Sequence, residues 1–126
     1  MATDPGLANI GVNWGYITPK GLVDLVGFQY LKTEKSSAKR NFRDKSDDMR
    51  RLLQLQREFG ELVDAWDPQV SGFEECPSIS VNAKTTRQCA LGWGLCLSLA
   101  ATRSGSLIYE FPIAEVKICL TGKKKA

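Results

Sequence analysis

Apolar positions along the chain follow two rhythms. Between residues 46 and 66, Met49, Leu52, Leu53, Leu55, Phe59, Leu62, Val63 and Trp66 recur every three or four positions, the spacing of one face of an α-helix. Arg50, Gln54, Arg57, Glu58, Glu61 and Asp64 occupy the opposite face. Asp44 or Ser46 can cap the start, Asp47 and Asp48 fall in the first turn where the helix dipole favours carboxylates, and Asp67-Pro68 stops the run. The pattern predicts a long amphipathic helix over about 46–66.

The second rhythm has a period of two. In "CALGWGLCLSLAA", residues 89–101, the odd positions to 99 are large or apolar (Leu91, Trp93, Leu95, Leu97, Leu99) and the even ones are small (Ala90, Gly92, Gly94, Cys96, Ser98). Alternation of this kind is the signature of a strand. Arg87 and Arg103 limit the uncharged run to fifteen residues, too few for a membrane-spanning helix of roughly 20. The partner run, 107–120, alternates through Leu107, Tyr109, Phe111 and Ile113, then shifts phase beside Pro112, where a bulge is expected. A three-residue loop with Gly105 left-handed would join the two as a hairpin, about 87–102 and 106–121, with every large residue on one face. Trp93 is then a core anchor opposite Val116, and Cys89 and Cys96 face opposite ways.

Elsewhere the pattern is less regular. Residues 1–8 read as a flexible lead-in, Ile10, Val12 and Trp14 as a short strand, and Thr18-Pro19 as the start of a short helix. Residues 20–31 fit strand or helix. A polar basic loop covers about 32–45, "VSGFEECP" reads as loop, "SISV" begins a strand, and 122–126 is a flexible end. The expectation is one α+β domain over 1–126, with an antiparallel sheet of three to five strands dominated by the C-terminal hairpin and the long helix packed on it. The hexapeptide "IGVNWG", residues 10–15, resembles the first barrel strand of plant β-1,3-glucanases over six residues only. That family's barrel needs about 250 residues, so the resemblance is set aside.

Composition narrows the chemistry. The 126 residues include no histidine, which removes Ser-His-Asp and Cys-His catalysis and His-bearing zinc sites. Cys76, Cys89, Cys96 and Cys119 are spaced 13, 7 and 23 apart, neither a disulfide framework nor a zinc pattern. The N-terminus lacks the basic and apolar regions of a secretory signal, so a cytoplasmic or nuclear location is expected rather than secretion. Net charge is −1 over 1–31, +4 over 32–51, −5 over 52–78 and +5 over 79–126, an asymmetry that favours an anionic partner.

The candidate anion-binding residues are Lys32, Lys35, Lys39, Arg40, Phe42, Arg43, Lys45, Arg50 and Arg51, with Lys123, Lys124 and Lys125 as a cationic tail. Basic side chains engage phosphates, and Phe42 with nearby Tyr30 offers base-stacking surface. Against this stands a merely solvated loop balanced by Glu34, Asp44, Asp47 and Asp48. Gly92, Gly94, Cys96 and Ser98 would form a smooth sheet face for self-association into a homo-oligomer. Glu58, Glu61 and Asp64, with Glu74 and Glu75 near them in sequence, make a divalent-metal site conceivable, but they fan too widely over the helix for one cation. No metal and no cofactor is therefore expected. The functional expectation is a non-enzymatic protein binding nucleic acid, RNA or single strands rather than a specific duplex. Its alternative is a self-associating viral matrix or coat-like protein on an anionic membrane surface or genome, with no transmembrane segment.

Overall fold

The computed structural model describes residues 1–36, 44–76, 82–116 and Gly122, and of Asp44 and Lys45 only the backbone. Its elements run β1 (Ala2–Asp4), β2 (Asn9–Ile17), β3 (Val23–Lys32), α1 (Asp44–Trp66), β4 (Val70–Glu74), α2 (Ala83–Arg103) and β5 (Leu107–Phe111). A further helical turn is described over 113–116. The fold is α+β with one five-stranded sheet in the order β3-β2-β1-β4-β5. The sheet is mixed rather than antiparallel: β1–β2 and β2–β3 are antiparallel, whereas β1–β4 and β4–β5 are parallel.

The C-terminal hairpin is corrected. Residues 83–103 form a helix, and the chain from 107 to 111 pairs parallel with β4, not antiparallel with its predecessor. Parallel neighbours need a crossover, and α2 is that crossover. Its start is fixed by Asn82, whose side chain accepts from the Thr85 backbone N–H at 2.9 Å. The alternation of large and small residues misled because the residues most buried are mainly the small ones. Gly92, Cys96, Leu99 and Ala100 recur at helical spacing and face the core. A Cβ at Gly92 would stand 2.5 Å from the Gly6 carbonyl carbon, so only glycine lets the helix approach the β1–β2 loop this closely. The expected smooth face is accordingly divided. Gly92 and Cys96 are buried, Gly94 is half-buried and Ser98 is exposed.

Three local expectations also change. Residues 1–8 hold the central strand β1 rather than a flexible lead-in, and the Met1 ammonium donates to the Val70 carbonyl at 2.9 Å. The segment after Thr18 is a turn, closed by the Gly21 and Thr18 N–H groups on the Thr18 and Leu22 carbonyls, and 23–32 is strand throughout. "VSGFE" is strand β4, while "SISV" lies outside the described residues.

Both helices cover one face of the sheet. Ile10, Val12, Leu31 and Phe73 from the strands meet Leu55, Phe59 and Val63 of α1 and Cys96, Leu99 and Ala100 of α2. The helices are tied to each other at both ends. Near their starts, Arg87 and Gln88 donate to the buried Asp48; near their ends, Arg103 donates to Asp64 at 2.8 Å. The other face of the sheet carries Leu25, Phe28, Tyr30, Leu107, Tyr109 and Phe111, all well exposed. Among the described residues no helix is long and apolar enough to cross a membrane.

Candidate active site

Strand alternation decides what the open face presents. Ile10 and Val12 point into the core, so Gly11 between them points out. Gly11 pairs with Asp4 on one side and Tyr30 on the other. On the far side of β1, Ala2 and Thr3 pair with Gly72 and Phe73, and continuing that parallel register by one residue sets Asp4 beside Glu74. Glu74 in turn pairs with Phe111. One row across the open face therefore reads Tyr30, Gly11, Asp4, Glu74, Phe111. Neighbouring strands lie about 4.8 Å apart, which places two carboxyl-bearing residues side by side and an aromatic residue toward each edge.

The carboxylates stand at the C-terminal ends of two adjacent parallel strands, the position where open sheets containing parallel strands place their reactive groups. Local chemistry holds them there. Pro5-Gly6 ends β1 immediately after Asp4. Leu7 then plugs into the core, and the Thr33 hydroxyl donates to the Leu7 carbonyl at 2.6 Å while the Thr33 N–H donates to Ala8. Arg51, itself buried, donates to the Thr33 hydroxyl at 2.9 Å and lies 3.9 Å from Asp48. On the β4 side, the Glu75 N–H donates to the Phe111 carbonyl at 2.9 Å and extends the ladder past Glu74. The loop between β1 and β2 is thus pinned by β3, α1 and Gly92 of α2.

Two carboxylates with no imidazole or thiolate donor suit a hard cation with oxygen ligands. Among the described residues no group of three or more His, Cys, Asp or Glu side chains could hold a metal ion. The pair is therefore not a closed cage. It matches the manner in which Mg²⁺ is bound by one or two carboxylates plus the phosphate oxygens of a substrate.

The basic residues singled out from sequence are dispersed. Lys32 is exposed on β3, 3.6 Å from Glu34, and Lys35 is exposed beyond it. Arg50 is exposed, paired with Asp47 at 2.9 Å and donating to the Glu34 carbonyl at 2.6 Å. These hydrogen bonds to Arg50 and to the Ser36 N–H outweigh burial and hold the Asp47 carboxyl below its ordinary range. Arg51 is turned inward onto Thr33. Lys39, Arg40, Phe42, Arg43, Lys123, Lys124 and Lys125 lie outside the described residues, as does the side chain of Lys45. Of the acidic residues of α1, Glu58 accepts from Gln54 and Asp64 from Arg103 of α2. Glu74 belongs instead with Asp4, which by sequence pattern falls in the expected flexible lead-in. The available signal is an aspartate directly before Pro-Gly at the end of one short run and a glutamate at the end of another.

No protein-family model and no curated protein matches the sequence. Solved structures do resemble the fold. RuvC of Thermus thermophilus in complex with Holliday junction substrate aligns with a TM-score of 0.75 at 18% identity, over 98% of this chain and 68% of that one. A second Thermus thermophilus RuvC structure aligns with a TM-score of 0.71 at 21% identity, over 98% of this chain and 69% of that one. At such identities the likeness concerns the fold. It corrects the expectations of a non-enzymatic binder, of a viral matrix or coat-like protein and of no enzymatic activity, because this architecture is shared with a protein that takes a nucleic-acid junction as substrate.

Proposed function

We propose that this chain is a divalent-cation-dependent nuclease domain that hydrolyses phosphodiester bonds in branched or unpaired nucleic acid. The observation that carries the reading is the parallel β1–β4 register, whose continuation by one residue sets Asp4 beside Glu74 at the strand ends, within a fold shared with a protein bound to its Holliday junction substrate. Asp4 and Glu74 would hold the cation, which supplies charge neutralisation at the scissile phosphate and an activated water. Lys32, Lys35 and Arg50 stand toward the same end of the sheet, where β3 runs two residues past the Asp4 row. They support the reading as contacts to the flanking phosphates. The short loop that pins Leu7 supports it too, because a positioned carboxylate pair needs little reorganisation as charge develops.

The test is cleavage of end-labelled four-way DNA junctions and single strands with Mg²⁺ or Mn²⁺. Asp4→Asn and Glu74→Gln are each expected to lower the rate by about 100-fold or more, the scale on which aligned transition-state groups act, while junction binding persists. No cleavage with either cation, or cleavage indifferent to both substitutions, overturns the proposal.

A further inference from the structure

The aromatic residues beside the carboxylates have no part in that chemistry and little part in the core. Tyr30 and Phe28 are 60% and 61% exposed on the edge strand of the sheet. An aromatic ring left in water on a strand that could have carried a polar residue forgoes the burial that usually justifies it. Their ring centroids are 5.9 Å apart with planes tilted by 54°. The rings therefore do not lie flat on each other, and each keeps a face open.

Their placement is specific. A Cβ at Gly11 would lie 3.9 Å from Tyr30 Cε2 and 4.0 Å from Asp4 Cβ. The Tyr30 ring edge and the Asp4 Cβ thus approach Gly11 from either side, and the missing side chain lets the ring lie between β3 and the carboxyl-bearing strand. Along β3, Phe28, Tyr30 and Lys32 follow at every second residue, so two rings and an ammonium group line up on one face with a repeat of about 6.6 Å. Unpaired bases stack on exposed aromatic rings regardless of sequence, and a cation beside them takes the backbone phosphate.

We infer that Phe28 and Tyr30 form a stacking shelf that receives unpaired nucleobases next to the Asp4–Glu74 pair, with Lys32 on the adjoining phosphate. The inference rests on the nuclease reading and adds to it the substrate class: a strand whose bases are unstacked at the site, as in a single strand or the open centre of a junction, rather than continuous duplex. Tyr30 and Phe28 act here as binding and positioning residues.

The experiment measures affinity of the full chain for a single-stranded oligonucleotide, a four-way junction and a continuous duplex in Ca²⁺. A parallel series carries 2-aminopurine in the single strand. Tyr30→Thr and Phe28→Thr keep a strand-forming residue and remove the ring; Tyr30→Phe keeps the ring. Each Thr variant is expected to weaken single-strand and junction binding about tenfold and to lose the quenching of 2-aminopurine by stacking, with duplex binding unchanged and Tyr30→Phe like wild type. Equal loss on duplex, no loss on any DNA, or no quenching by wild-type protein overturns the shelf while the nuclease reading stands. Failure of wild type to bind any of the three overturns both.

Discussion

The two faces of the sheet are built from similar residues to opposite ends. On the covered face, Ile10, Val12, Leu31 and Phe73 are at most 4% exposed beneath α1 and α2. On the open face, Leu25, Phe28, Tyr30, Leu107, Tyr109 and Phe111 are 45% to 68% exposed. One face gains stability from apolar area removed from water. The other keeps apolar rings in water around two carboxyl-bearing residues, an arrangement that stability alone does not explain and the proposed substrate contact would.

Four measurements would break or sharpen this contrast. The largest effect is chemical. Burial pushes the Cys96 thiol up to about 12 from 9.0, so its thiolate fraction in the folded protein is lowered about a thousandfold. A thiol reagent at pH 8 should leave Cys96 unmodified until urea unfolds the chain; rapid modification of native Cys96 would mean that α2 does not cover the sheet. The sign extends to stability, because a raised pKa favours the folded state below the unfolded value and that contribution fades as pH climbs from 9.0 toward 12.

Phe73→Ala, which removes a ring 1% exposed from the middle of the covered face, should cost about 3 to 5 kcal/mol in urea denaturation. A loss under 1 kcal/mol would contradict the packing described. Gly92→Val comes next, at about 1 to 3 kcal/mol. It should also depress the proposed cleavage more than its stability loss explains, since the displaced Gly6 loop directly follows Asp4. Retained activity alongside lowered stability would show that the loop repositions independently of α2. The smallest effect belongs to the open face. Leu107→Thr, at a residue 63% exposed, should fall within about 0.5 kcal/mol of wild type, and a larger loss would indicate that this face is covered in solution.

The helix over 46–66 was readable because its apolar stripe, its acidic first turn and Asp67-Pro68 all mark the same element, and the structure has it as Asp44–Trp66. The strand through Ile10, Val12 and Trp14 was readable for the same reason at period two. The second helix was not. Its small residues recur at helical spacing while its large ones alternate, and nothing local tells which set faces the core. Only the approach of α2 to Gly6 and Leu7 turned the small set inward.

The candidate site was legible in fragments. Glu74 is recognisable as a ligand-type residue, but its sequence neighbours are Glu58, Glu61 and Asp64, and Asp4 lies in a stretch whose pattern reads as a loose terminus. The two are 70 positions apart. Local pattern determined where the chain could be helix or strand, that no imidazole chemistry was open to it, and that carboxylates and basic residues were the groups available. Which strands lie side by side was decided by the tertiary structure alone. A short strand's own residues carry no record of its partner, and the parallel pairing of β1 with β4 appears only when α1 and α2 pack on one common face and bring the two strand ends together.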